Sequence, residues 1–221
     1  MQLRRSHPEL GVVEPFWEAQ LTVLSIAILT VTLPGSVTLG GRWLIPALEL
    51  ALVAALVIST PYRHHAQSPN RRYASLGLVA LVSAANTASL VLILHRLFSG
   101  SHDLGGHVLL RAGITVWVTN IAVFALWYWE LDRGGPEGRT ADPQPAPSFA
   151  FPEMTSPDLV PRGWAPRFAD YLYLAMTNAT AFSPTDTLPL GRNAKLLMGL
   201  QGLASFVTVA VVAARAVNIL Q

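Results

Sequence analysis

Five stretches of this chain stay apolar for a membrane-crossing length, and a sixth stops short. Ala19–Gly41, Tyr73–Leu94, Ala112–Trp129 and Leu196–Ala214 carry no charge, and Trp43–Tyr62 carries only Glu49. Each falls within the range of about 17–25 residues that crosses a hydrocarbon core as a helix. The pattern predicts an all-α polytopic membrane helix bundle, one membrane domain over 1–221. Its five transmembrane helices fall at about 19–36, 43–62, 73–96, 109–129 and 192–219.

The short stretch is Phe168–Phe182. Fifteen helical residues reach only about 22 Å. They are followed by a polar turn, Ser183-Pro184-Thr185-Asp186-Thr187-Leu188-Pro189, and then by the last apolar run. Broken backbone at membrane depth is tolerated where protein buries it or water lines it. We therefore read 167–190 as a re-entrant half-helix before the last span. Glu130–Pro166 is the one sizeable extramembrane segment, and its Gly and Pro content predicts an irregular strap.

Arg and Lys placement sets a direction. Arg4, Arg5, Arg63, Arg71, Arg72, Arg133, Arg139, Arg162, Arg167, Arg192 and Lys195 fall on one side, against Arg42, Arg96 and Arg111 on the other. The excess marks the cytoplasmic side, so the N-terminus is expected inside and the C-terminus outside. The first apolar run continues into a Pro-Gly turn and a second span, which reads as a retained helix rather than a cleaved signal.

Composition agrees with this reading: 52% of residues are apolar and 13% charged. The absence of cysteine removes disulfides and thiolate chemistry. A net charge of +2 without a basic cluster argues against nucleic acid. His64-His65 and His102-Asp103 with His107 do not make a set of three convergent ligands, and no nucleophile–base pair is evident. The expectation is no metal, no cofactor, no catalytic residue, and no enzyme.

Polar groups inside spans are the remaining chemistry, since each is unfavourable there unless paired or wetted. They are Glu49, Asn86, Asn120, Arg215 and Asn218. Glu49 and Arg215 fall toward the same outer leaflet and could pair, either to fix packing or to move ions. Gln201, Ser205 and Thr208 recur at four- and three-residue steps on one face of the last span. That face reads either as close helix contact or as the wall of a watery path. In the turn, Ser183 or Asp186 could cap the last helix. Equally, the oxygens of Thr180, Ser183, Thr185 and Asp186 could replace part of a cation's water shell.

The order of outer helix, long loop, short helix, Thr-containing turn and inner helix resembles that of tetrameric potassium-type channels. Thr180, Asp186 and Pro189 are similar to the Thr, Asp and Pro around that family's filter. Two filter glycines are replaced by Ser183 and Thr185, and those channels present the filter outside, against the side the arginines indicate here. The blocks WYWELDRGGPEGR, FADYLYLAMTNATAFSPTDTLPL and AKLLMG…ARAVNIL also resemble a family of uncharacterised bacterial integral membrane proteins, which implies localisation and no site residues. The functional expectation is a channel-like, multi-pass protein of the bacterial inner membrane, with the lipid bilayer as its first partner. It would form a homo-oligomer, most simply a tetramer, that passes an ion such as a monovalent cation or a small solute. Thr180, Ser183, Thr185, Asp186, Gln201, Ser205 and Thr208 would line the path. The alternatives are a structural or accessory membrane subunit without transport, and a membrane-embedded enzyme, which would need His102, Asp103 and His107 to meet a carboxylate or a bound metal.

Overall fold

The computed structural model of the chain describes residues 17–38, 69–98, 106–139, 143–161, 164–180 and 186–220, with scattered positions between 43 and 54 and at 141. Most of the predicted second span, Glu49 included, lies outside the described residues. What is described is mostly helical: α1 (Trp17–Thr32), α2 (Pro69–Phe98), α3 (Gly106–Leu131), α4 (Phe168–Thr180) and α5 (Arg192–Leu220). A two-residue antiparallel pair joins β1 (Phe149–Ala150) to β2 (Leu188–Pro189), with Phe149 opposite Pro189 and Ala150 opposite Leu188.

Three helices contain stretches long and apolar enough to cross a membrane: 72–96 in α2, 107–134 beginning in α3 and 192–214 in α5. α1, with 16 residues, is apolar but shorter. These are the regions where charge-free runs predict crossings.

α3 is the hub, and α1, α2, α4 and α5 all pack on it. Two apolar clusters fix the relative directions. One joins Ala19, Val23 and Ile26 to Leu78, Val79 and Val82, and to Val123 through Trp129 of α3, with Phe149, Phe168, Tyr171 and Met198. The other joins Leu33 and Val37 to Leu90, Ile93, Ala112 and Val116. So α1, α2 and α5 run from the first cluster toward the second, and α3 runs back between them. Arg72, Arg133, Arg139, Arg167, Arg192 and Lys195 stand at the first end, called here the strap end. Arg96 and Arg111 stand at the other.

α5 is inside out by the standard of a water-soluble helix. Its buried positions include Gln201, Ser205 and Thr208, while Leu196, Leu200, Leu203, Phe206 and Val209 are exposed. Water around it would leave large apolar side chains uncovered and polar ones hidden. Lipid reverses that preference, because polar groups then gain by facing protein.

Close approach of α3 and α5 depends on one glycine. A Cβ on Gly113 would sit 2.6 Å from Cγ2 of Val212, a β-branched side chain with little freedom to move aside. Gly113→Ala is expected to destabilise the bundle by about 1–3 kcal/mol. Gly199→Ala, where an added methyl meets open space, is expected to be neutral or slightly stabilising. Thermal unfolding of both variants in detergent checks the contrast.

Candidate functional site: the half-helix and its polar clasp

The segment that follows α3 reverses direction over Arg133, Gly134 and Gly135, all with positive φ (52°, 77° and 88°). Only glycine adopts that region freely, and the sequence supplies it twice. Gly138 is required for a different reason: a Cβ there would come 1.9 Å from the Arg133 carbonyl oxygen. The tight reversal brings Arg139 back beneath the helix it left. Its Nη1 donates to the carbonyls of Trp129 (2.8 Å) and Asp132 (3.0 Å), capping the C-terminal end of α3. The guanidinium also lies over the rings of Trp129 and Tyr171, at 5.8 and 5.2 Å from their centroids.

Asp132 is fully buried and holds three parts of the chain together. Its Oδ1 accepts the Ser148 backbone N–H at 2.7 Å, and its Oδ2 accepts the Tyr171 hydroxyl at 2.7 Å. The Ser148 carbonyl in turn accepts the backbone N–H of Leu190 at 2.9 Å, just past β2. One carboxylate therefore links the end of α3, the strap and the first turn of α4. The strap links onward to the residues that precede α5. Aromatic rings pack this corner: Phe149 on Tyr128, Phe151 on Tyr171 and on Trp164, and Trp129 on Phe168.

α4 starts where Asp170 accepts the Arg167 N–H at 2.7 Å, a local cap that follows Pro166. It buries Phe168, Tyr171, Leu174, Ala175 and Ala179 and exposes Leu172, Tyr173 and Met176. Its far end is tied by amides. Asn178 Nδ2 lies 2.8 Å from Gln201 Oε1, 2.9 Å from the Met198 carbonyl and 3.3 Å from the Tyr128 hydroxyl. Gln201 Nε2 donates to the Ala175 carbonyl at 2.7 Å, and its Oε1 also accepts from Tyr128 at 2.5 Å. Gln201 stands nine residues into α5, about 14 Å along its axis.

Of the sequence-predicted residues, Gln201, Ser205 and Thr208 are buried at the helix contacts. Ser205 accepts from Asn120 of α3 at 2.9 Å, and Thr208 donates to the Ala204 carbonyl at 2.7 Å. Thr180 closes α4, its hydroxyl donating to the Thr177 carbonyl at 3.0 Å. Asp186 is exposed beside β2, and Asn86 is half-buried on α2. Ser183 and Thr185 lie outside the described residues, as does Glu49. Arg215 and Asn218 fall in the last turns of α5, of which only the backbone is described. Among the described residues, no three of His, Cys, Asp and Glu converge as a metal site would need.

Sequence reading missed Asn178, Tyr171, Asp132 and Arg139 as organising residues. Tyr128 and Tyr171 are fully buried and Trp129 nearly so; of the tyrosines at the mouth of α4, only Tyr173 faces outward. The signal available was the spacing Tyr171, Leu174, Ala175, Asn178, one helical face.

The chain matches no protein-family model, no curated protein and no solved structure.

Removing Tyr171's hydroxyl leaves a buried carboxylate oxygen short of a donor. Tyr171→Phe is expected to lower stability by about 1–3 kcal/mol, and Asp132→Ala by at least as much. Both are expected to speed protease cleavage within 143–161. Circular dichroism melting and limited proteolysis in detergent measure the two effects.

Proposed function

We propose that residues 167–190 form a re-entrant hairpin in a five-span, multi-pass protein of the bacterial inner membrane. Copies of the chain assemble around it to make a narrow path for an ion or small solute. The observation that carries this reading is the anchoring of both arms of the hairpin at one end. α4 begins at the Asp132 clasp and runs 13 residues, about 20 Å, to amide contacts partway along α5. By Leu188 the chain is back beside Phe149 and Ala150 at the strap end. A helix of that length does not cross a bilayer.

In this reading the constriction is the 180–186 turn, with Thr180, Ser183, Thr185 and Asp186 offering oxygens to a monovalent cation. Gln201 and Ser205 hold α5 against α3 and α4, and with Thr208, buried near them, they form the wall behind the turn. One hairpin encloses no pore, and a closed ring of copies, most simply four, supplies the enclosure.

A second reading, an accessory subunit without transport, is favoured by one observation. The polar face of α5 is turned inward and engaged with α3 and α4, which is how helix packing alone would use it.

Flux separates the two. Purified protein in potassium-loaded liposomes is expected to release the ion, and Asp186→Asn is expected to change the rate or the K⁺/Na⁺ preference severalfold. Absence of release from the wild type supports the accessory reading. Because the chain has no cysteine, single cysteines at Asp158 and Asp186 test the hairpin separately. Both are expected to react with an impermeant maleimide from the same side, and labelling from opposite sides removes the hairpin.

A further inference from the structure

At the end of the bundle away from the strap, a groove of about 220 Å³ opens between the last turn of α1 and the first turns of α3. Thr32, Gly35, Val108, Arg111 and Thr115 are among its lining residues. Arg111 stands five residues into α3, about 7.5 Å along its axis. In a membrane-spanning helix, that depth is the boundary between headgroups and acyl chains. Its side chain is exposed.

Among the described residues, no carboxylate is available to this arginine. Among the described residues, Glu18, Glu130, Asp132, Glu153, Asp158, Asp170 and Asp186 all belong to the strap end, and no carboxylate stands at this one. The two helix ends that bracket the groove do not substitute for one. The C-terminal end of α1 carries partial negative charge and the N-terminal end of α3 partial positive charge, so they largely cancel. Among the described residues the guanidinium is then the net charge at the groove, which Thr32 and Thr115 also line. A planar fork of donors suits the oxygens of a phosphate.

Apolar surface continues from the groove toward mid-bilayer. On α3, Ile114 and Val118 follow Arg111 at three- and four-residue steps, 48% and 38% exposed. On α1, Leu24 and Ile28 precede Thr32 at four-residue steps, 41% and 60% exposed. A free phosphate would use the head of this site and nothing of the track; a phospholipid uses both.

We propose that this groove seats one phospholipid, its phosphate on Arg111 and its acyl chains along the exposed faces of α1 and α3. The site is independent of the permeation reading, since it involves neither α4 nor the turn.

The test uses the full chain, purified and delipidated in a neutral detergent. Phosphatidylglycerol, diacylglycerol with the same acyl chains, and inorganic phosphate are each added alone. Bound lipid is read by native mass spectrometry and stabilisation by thermal unfolding. Phosphatidylglycerol is expected to be retained and to raise the midpoint, whereas diacylglycerol and inorganic phosphate have little effect. Arg111→Gln is expected to weaken retention about tenfold, Arg111→Lys to recover part of it, and Arg192→Gln at the strap end to leave it unchanged. Equal retention by Arg111→Gln overturns the proposal, as does equal stabilisation by diacylglycerol. Stabilisation by inorganic phosphate as large as that by the lipid also overturns it, by reducing the site to an anion contact.

Discussion

A carboxylate taken out of solvent decides where the short helix α4 begins. Asp132 has no accessible surface, and an unpaired charge in such a place would be strongly unfavourable. Its two oxygens are therefore obliged to keep their donors, the Ser148 N–H and the Tyr171 hydroxyl. Each donor belongs to a different segment. Moving the strap or α4 away would strand the charge, so both are held in register with the end of α3. Arg139 adds to the constraint from below by occupying two α3 carbonyls and lying against the same tyrosine ring. The left-handed turn at Arg133–Gly135 is the backbone strain that this arrangement sustains.

The same logic, applied deeper, explains the polarity of α5. Lipid is as apolar as leucine, so burial of leucine does little to join helices within it. What joins α5 to α3 and α4 is shape at Gly113 and hydrogen bonding by Gln201, Ser205 and their partners. Each such bond contributes only about 0.6–2 kcal/mol in membranes. Several placed along one face nonetheless specify rotation and register, because turning the helix would expose every one of them to hydrocarbon. The leucines outside serve as solvent contact.

The crossing helices were legible because charge-free apolar runs of this length are rare outside a bilayer. Boundaries shifted modestly: α2 begins at Pro69 and α3 at Gly106, ahead of the strict apolar runs. The direction of the Gln201–Ser205–Thr208 face was not legible, since periodicity places residues on a common face without saying what that face meets. The clasp was hidden for another reason. Asp132, Ser148 and Tyr171 are separated by 16 and 23 positions in a Gly- and Pro-rich region, where local pattern carries no register. Charged loop residues read as solvated by default, and it took the positive-φ reversal to fold Arg139 and Asp132 under aromatic cover. The burial of Tyr128 and Tyr171 was not legible because an aromatic near a span end is ambiguous: the same amphipathic ring serves an interface or a buried hydrogen bond.

The amide lattice also constrains where any path could run. On the side of α4 that faces the bundle, Asn178, Gln201, Tyr128 and the Ala175 and Met198 carbonyls engage one another within 2.5–3.3 Å. Donors and acceptors that close on each other at these distances leave no room for a hydrated ion between α4, α3 and α5. The outer side of α4 is different: Leu172, Tyr173 and Met176 are uncovered by the chain itself. A helix that stopped at mid-depth would need protein or water, not lipid, at its final carbonyls. A path beside this helix would run along its outer side and not through the α3–α4–α5 contact.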